Sequence, residues 1–373
     1  MDQMTRAVLF LNGADDEKKP LMLESILFCP LLTWAGEALI KRSIWRFFIV
    51  CPESWQAEAR RCFSPEAEVT VSSDPADLAA FLKEEGPVAV LPCAMIPEEL
   101  PGGRNCAYTA PASDLAKRLG GGWDGSADPC AEPLAGFTVV DDLPCLRERE
   151  LECRDAIVRR HRANGVHILD GAAVYIDPRA EIGTGSLILP GTILRGRTRI
   201  GCGCEIGPNT MIRDCTVGDA STVNASQLNE STVGCRTNVG PFAYVRPGCT
   251  VGDDIKVGDF VELKNSVIGH GTKISHLTYV GDSDVGEHVN FGCGTVTTNY
   301  DGFKKYRTTV GDHVFIGCNT NLVAPVRVGD GAYIAAGATI TEDVPPDALA
   351  IARSRQTVKE GWAERNRKKH AGT

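Results

Sequence analysis

Residues 182–212 read IGTGSLILPGTILRGRTRIGCGCEIGPNTMI, with an aliphatic side chain at Ile182, Ile188, Leu194, Ile200, Ile206 and Ile212. A helix buries side chains with a period of about 3.6 and a lone strand with a period of about 2, so a spacing of six fits neither. A hexapeptide repeat does fit. Each unit makes one short strand and one corner, and three units complete a triangular coil. The register resumes at Val233, Val239, Val245, Val251, Val257 and Leu263, and again at Val310, Ile316, Leu322, Val328, Ile334 and Ile340. Glycine follows many of these positions, as at Gly183, Gly201, Gly234, Gly252, Gly311 and Gly329, where the corner needs a small residue. The expected fold over residues 166–344 is a left-handed parallel β-helix with the aliphatic side chains inward, an exception to the right-handed crossover rule.

The whole chain has 373 residues, of which 43% are hydrophobic and 23% charged, enough for two folded domains and not the composition of a disordered chain. No apolar run approaches the roughly 20 residues that cross a bilayer, so membrane insertion is not expected. The N-terminal stretch MDQMTRAVLFLNGADDEKK has a short apolar run that turns acidic with no small-residue cleavage site, which argues against a signal peptide. A net charge of -9 argues against a nucleic-acid surface. The expected location is the cytoplasm. The 15 cysteines form an odd set with no CxxC pair, and they read as small buried residues ahead of zinc ligands or disulfides. Cys202, Cys235, Cys293 and Cys318 each fall two residues after an inward position, where a small side chain suits the corner.

Breaks in the register mark where function is expected. Steps of five occur from Ile212 to Val217, Leu263 to Ile268 and Val280 to Val285. The largest interruption, TTNYDGFKKYRTT at 297–309, lies between Val296 and Val310, both expected to point inward. A loop expelled from a regular coil with this aromatic and basic content reads as functional; a solvated insertion is the plainer alternative.

Positions 18 apart stack coil on coil, about 4.8 Å apart. Arg246 and Lys264 then share a corner, and the short step places Tyr279 over Glu262. His276 lies on the side leading to that corner, with Asn290, Thr298 and Asn299 a coil further on. Two stacked cations repel unless an anion joins them, and an oxyanion such as phosphate matches an Arg–Lys pair. The plain reading is that Glu262 neutralises them on a solvated corner. His276, an ordinary surface residue in isolation, becomes a candidate general base beside such a site. A zinc site would need three converging histidines, and the spacing of His270, His276, His288 and His313 contains no H-x4-H pair, so no metal is expected there.

The segments PFAYVRPG (241–248), VELKNS (261–266), SHLTYVGD (275–282) and NFGCGTVTTNYDGFKKYRTTVGDHVFIG (290–317) resemble one known family. It is the bacterial bifunctional N-acetylglucosamine-1-phosphate uridylyltransferase/glucosamine-1-phosphate acetyltransferase family, and the resemblance covers about residues 135–369 through its acetyltransferase domain. The resemblance implies acetyl-CoA as cosubstrate and a homotrimer with active sites at subunit boundaries. It implies that His276 removes a proton from the glucosamine amine, which attacks the acetyl thioester. Arg246, Lys264 and Tyr279 would hold the sugar phosphate, with Asn290 and Lys305 completing the sugar site. Asn299 and Tyr300 would approach the acetyl and pantetheine portions, and Cys293, Cys318, Ala336 and Arg353 would line the coenzyme groove. Cys293 stands where the family often has Ala and Cys318 where Ser is common; both are small enough to be accommodated. An oxyanion donor is expected from a backbone N–H in the glycine-rich corner near Cys293.

The N-terminal third reads differently. RAVLFLNG, RFFIVCP and PVAVLPC are short buried strands, with helices expected around Leu32–Arg42, Trp55–Cys62 and Asp77–Glu85. That alternation predicts a small α/β Rossmann-like domain with a parallel sheet over 1–142, a counterpart of the family's nucleotidyltransferase domain but much shorter. Its phosphate loop is altered: Gly13 is present, but Asp15, Asp16 and Glu17 put negative charge where phosphates would lie, offset weakly by Lys18 or Lys19. Nothing between Val71 and Phe81 matches the family's uracil-reading stretch. Cys93 and Ala94 stand near the position of its magnesium-binding Asp, and Asp141 falls near the second metal position. Mg2+ is therefore expected only if this domain is active, and uridylyl transfer is not expected of it.

Residues 143–165 read as a linker helix whose Arg-rich face is expected to be solvated. Pro345–Pro346 is expected to stop the coil, leaving 345–373 as an extension with a basic end. The leading function is acetyl transfer to glucosamine-1-phosphate, as a step of UDP-N-acetylglucosamine synthesis. A fully bifunctional enzyme and a non-catalytic trimeric scaffold are the alternatives.

Overall fold

Arg6–Phe10, buried along its whole length, is the central strand of a six-stranded sheet in the N-terminal region. It pairs in parallel with Arg46–Val50 on one side and Pro87–Leu91 on the other, and Glu68–Ser72 extends the parallel set. The computed structural model describes residues 4–11, 18–127 and 131–371. Gly13, Asp15, Asp16 and Glu17, the altered phosphate loop, lie outside the described residues. The chain divides into two units, 1–236 and 237–373.

In the first unit the expected α/β sheet is present, with an addition. Tyr108–Pro111 and Glu132–Pro133 join the edge antiparallel, and their few apolar residues gave no strand pattern in the sequence. The helices run Leu31–Ile40, Gln56–Arg60 and Pro75–Phe81, the last two shorter than expected. A fourth, Ala112–Leu119, packs with Pro75–Phe81 against one face, burying Phe10, Phe48, Leu78, Val90 and Leu115 together. Arg6, only 2% exposed, is tolerated in that strand because its guanidinium donates to the carbonyls of Phe81, Glu84 and Glu85.

The expected linker helix spans Leu143–Ala163; the Asp142 carboxylate caps it by accepting from Cys145 N–H at 2.8 Å. Of its six arginines, Arg147, Arg159 and Arg162 are exposed as expected, while Arg149, Arg154 and Arg160 are half-buried. Arg147 donates to the Ser25 carbonyl, Arg149 to that of Pro101, and Arg160 to Glu98 at 2.7 Å and to the Pro178 carbonyl. Helical spacing alone separates apolar from polar faces, but it does not reveal that the polar face meets carbonyls on both flanking elements. The coil then begins, with Ile182 over Ile200, Ile200 over Val217 and Val217 over Val233 in one file of strands.

The second unit is built from the same repeat. Three files of short parallel strands run through it, one carrying Val239, Val257, Ile274, Phe291, Ile316 and Ile334 inward. The fold is the expected left-handed parallel β-helix. One inward assignment is corrected. Val296 is 36% exposed, and Thr297 points inward with 1% exposure, between Val280 and Leu322 in its file. Six residues on from Phe291 is Thr297, so the count was right and the preference for an aliphatic side chain misled. Its hydroxyl oxygen accepts from Gly281 N–H at 2.8 Å and donates to the Gly281 carbonyl at 3.1 Å, which makes a polar residue stable inside.

The prolines do not stop the coil. Leu349–Ala350 pairs in parallel with Tyr333–Ile334, one strand beyond them. Pro346 sits at the corner against Gly329, where no ladder hydrogen bond is lost. An exposed helix, Trp362–His370, follows. Among the described residues no helix is long and apolar enough to cross a membrane. The cysteines are mixed: Cys29, Cys51, Cys62, Cys153, Cys204, Cys215 and Cys249 are buried, but Cys202 and Cys318 are exposed. Their place two residues past an inward position puts those two on the outside of the corner.

Candidate active site

The strand pairing places Asp259 beside His276 on successive coils, and Asp259 Oδ1 lies 2.6 Å from His276 Nδ1. This hydrogen bond, more than any other contact, holds the Asp259 carboxyl below the usual carboxylate range. A carboxylate can only accept, so in the neutral imidazole Nδ1 carries the proton and Nε2 keeps the lone pair.

The same register continues beyond His276. Ile274 pairs with Phe291, Phe291 with Ile316, and Ile316 with Ile334. Two residues after each lie His276, Cys293, Cys318 and Ala336, which therefore form one column along a corner. Backbone bonds tie it together: Asn319 N–H donates to the Cys293 carbonyl and Gly337 N–H to the Cys318 carbonyl, both at 2.8 Å. A side chain on Gly292 would meet the backbone of Cys318, and one on Gly317 that of Ala336, so glycine is required at both for the coils to approach. The Arg353 side chain reaches the top of this column at Gly337. The four residues assigned to the coenzyme groove are thus contiguous with the candidate base.

The cationic corner is more elaborate than expected. Arg246 and Lys264 do share it, and Tyr279 does lie over Glu262. Arg246 is paired with Glu262 at 2.8 Å. Lys264 has a different partner: its ammonium donates to both oxygens of Asp282, at 2.8 and 2.9 Å. Asp282 is 5% exposed and also accepts from the side-chain amides of Asn265 and Asn299. Burial pushes the Asp282 carboxyl up, but the Lys264, Asn265 and Asn299 donors outweigh it and hold the carboxyl below its usual range. Burial likewise pulls Lys264 down, and Asp282 more than restores it. Asn299 also lies 3.5 Å from the Tyr279 hydroxyl, so Lys264, Tyr279 and Asn299 meet around Asp282.

Lys305, exposed on the loop, brings its ammonium beside Lys264, which lowers its pKa. Arg246, Lys264 and Lys305 face two carboxylates, Glu262 and Asp282, leaving the cluster one positive charge in excess. The loop itself is folded: Asp301 caps its turn by accepting from Phe303 and Lys304 N–H, and Arg307 grips Asp284 and the Ser283 carbonyl. Two predicted residues stand apart. Asn290 begins the strand that leads to Cys293, in the file of Lys273 and Phe315 rather than that of Tyr279. Tyr300 is 55% exposed, and its hydroxyl donates back to the Gly302 carbonyl within the loop.

Asp259, Asn265 and Asp282 were not singled out in the sequence. The signal was available: each lies one coil from its partner, 17 residues for Asp259–His276 and for Asn265–Asp282 and 18 for Lys264–Asp282.

In the N-terminal region Cys93, Ala94 and Asp141 line a cavity of about 690 Å3 together with Lys18, Lys19, Glu24 and Arg104. Asp141 is engaged by Arg104 at 2.7 Å, and Cys93 contacts Cys106 Sγ–Sγ at 3.3 Å. A hard cation such as Mg2+ takes oxygen ligands in octahedral geometry, and among the described residues no three His, Cys, Asp or Glu side chains converge to supply them.

Comparison with known proteins agrees with the repeat. Residues 307–342 match the family model for the bacterial transferase hexapeptide (six repeats). The chain is 50% identical over 262 residues to the bifunctional protein GlmU of Caldanaerobacter subterraneus subsp. tengcongensis, covering 70% of this chain and 56% of the relative. It is 53% identical over 223 residues to the GlmU protein of Acetivibrio thermocellus (60% and 48%) and 49% identical over 226 residues to that of a Geobacillus species (61% and 49%). A solved UDP-N-acetylglucosamine acyltransferase from Arabidopsis aligns over 50% of this chain and 67% of its own, at 17% identity and a TM-score of 0.36, too loose to add to the argument. The chain spans about half the length of the curated relatives it matches. Over 60–70% of its own length it is a relative of the bifunctional GlmU proteins.

Proposed function

We propose that the β-helical portion transfers the acetyl group of acetyl-CoA to the amine of glucosamine-1-phosphate. The observation that carries this reading is the Asp259–His276 pair at the foot of the Cys293–Cys318–Ala336 column, next to the Arg246, Lys264 and Lys305 cluster. A sugar ammonium is not nucleophilic, so a base must first take its proton. His276 Nε2 does this, directly or through one water. The nitrogen then forms a bond to the acetyl carbonyl carbon, and the tetrahedral oxyanion collapses with breakage of the C–S bond. Coenzyme A leaves as the thiolate and is protonated. Arg246, Lys264 and Tyr279 hold the sugar phosphate, Asn290 and Lys305 complete the sugar site, and Asn299 and Tyr300 approach the acetyl and pantetheine end. Cys293, Cys318, Ala336 and Arg353 line the coenzyme groove, with no nucleophilic role for either cysteine.

The active form in this reading is a homotrimer. Phe242 and Phe260 stack at 5.6 Å on one corner, with Leu277 on the next coil, and all three are more than half exposed. Aromatic side chains in the left-handed region are costly and find their compensation when a second copy covers them. We assign no uridylyl transfer to the α/β domain, because the donor set at Cys93 and Asp141 suits no Mg2+.

The test is a comparison of the wild type with His276→Ala. Sugar-dependent release of coenzyme A should vanish in the variant while its assembly state is unchanged; retained turnover would remove His276 from the mechanism. UTP-dependent release of pyrophosphate would show that the α/β domain had been misjudged.

A further inference from the structure

Cys93 lies two residues beyond the strand Pro87–Leu91, and Cys106 two residues before its antiparallel partner Tyr108–Pro111. Continued, that register sets Cys93 opposite Asn105, one residue from Cys106, and the two Sγ atoms lie 3.3 Å apart. The backbone on either side is pinned: Val140 N–H donates to the Ala94 carbonyl at 2.9 Å and Val139 N–H to the Arg104 carbonyl at 2.7 Å. The side chain of Asn105 spans from the Leu134 carbonyl to Ala107 N–H. The sulfur of fully buried Met95 lies 3.9 Å from Cys106 Sγ, on the protein side. Cys93 opens onto the 690 Å3 cavity, and both thiols are half-buried. These positions are held in place and reachable, and nothing in the proposed acetyl transfer uses them.

We propose that Cys93 and Cys106 are a reactive dithiol that exchanges with low-molecular-weight disulfides of the glutathione class and closes an intramolecular disulfide. A disulfide needs Sγ atoms about 2.05 Å apart, so closure requires an approach of little more than 1 Å, within reach of side-chain rotation. The shared hydrogen bond separates the roles. Either thiol can donate across this contact; with Cys93 as donor, Cys106 is lowered to about 7 against opposing burial and Cys93 is raised. In the proposed exchange Cys106 is the attacking thiolate and Cys93 the resolving thiol.

The exchange balances. Cys106 Sγ bonds to one sulfur of glutathione disulfide, the S–S bond breaks, and one glutathione leaves as thiolate and takes a proton. Cys93 loses its proton and attacks Cys106 Sγ, which expels the second glutathione. The two protein thiols are oxidised by two electrons, and one disulfide is reduced to two thiols.

The full chain, reduced and freed of metal by a chelator, is incubated with glutathione disulfide at neutral pH, and its remaining thiols are mapped by alkylation and peptide mass spectrometry. Exposed Cys202 and Cys318 are internal comparators. The proposal predicts a Cys93–Cys106 cross-linked peptide and loss of the free Cys106 thiol about threefold faster than at Cys202 or Cys318, once the lower nucleophilicity of a more acidic thiol is counted. Cys93→Ser should instead accumulate glutathione on Cys106. Alkylatable Cys93 and Cys106 in a wild-type chain already glutathionylated at Cys202 and Cys318 would overturn it. So would a mixed disulfide at Cys106 that persists with Cys93 intact.

Discussion

Asp259 Oδ1 and His276 Nδ1 are 2.6 Å apart on adjacent coils, and this contact sets which nitrogen of the imidazole can accept a proton. With Nδ1–H held by the carboxylate, Nε2 is the nitrogen left to act as base in the proposed transfer. Asp259→Asn offers an amide that can present either a donor or an acceptor to Nδ1, so the tautomer is no longer enforced. The expected outcome is a fall in kcat of about a hundredfold with KM for both substrates nearly unchanged. A KM effect of that size with kcat preserved would assign Asp259 to binding instead.

Asp282 is the hub of the cationic corner. Asp282→Ala leaves Lys264 partly buried beside Arg246 and Lys305 with no carboxylate between them. A stability loss of about 2 kcal/mol is expected, less than for a fully buried pair because Lys264 keeps some contact with water. Urea unfolding measures it. The pH dependence follows from the depressed carboxyl: its contribution is present above the ordinary carboxylate value and lost as pH falls through the lower folded value. The variant should therefore lose stability less steeply than the wild type on acidification below about pH 4.

How much of this could be read from the chain depends on what kind of regularity a residue obeys. Ile188, Val245 and Ile334 announce the coil because burial repeats every six residues, and the Arg246–Lys264 corner follows from the same arithmetic. Thr297 escaped because a buried hydroxyl satisfied by Gly281 has no hydrophobic signature. Asp282 escaped because its charge looked like that of any corner aspartate; only its 5% exposure and three donors distinguish it. The Cys93–Cys106 contact joins residues 13 apart in the chain through the pairing of Pro87–Leu91 with Tyr108–Pro111, which no local pattern supplies.

The corrected register has its own test. Thr297→Val removes the acceptor for Gly281 N–H inside the coil, and about 1–2 kcal/mol of stability should be lost. Val296→Thr, on the outward neighbour, should change stability by less than about 0.5 kcal/mol. Thermal unfolding of the two variants distinguishes the assignments, because an inward Val296 would reverse the order.

His161, 5% exposed in the helix Leu143–Ala163, is a second source of acid sensitivity. Burial, with Arg160 and Lys41 nearby, lowers it to about 4. Between that value and its unfolded value the unfolded chain binds more protons, so stability falls as pH drops from about 6.5 to 4, by about 3 kcal/mol in all. His161→Phe should flatten this window in denaturation midpoints measured across pH. An unchanged slope would mean that His161 takes up its proton without opening the helix.

The most direct test of acetyl transfer follows free coenzyme A released from acetyl-CoA, with and without glucosamine-1-phosphate. Release that depends on the sugar phosphate and disappears in His276→Ala is the predicted result. A folded chain that releases no coenzyme A above the rate without acceptor would contradict the assignment.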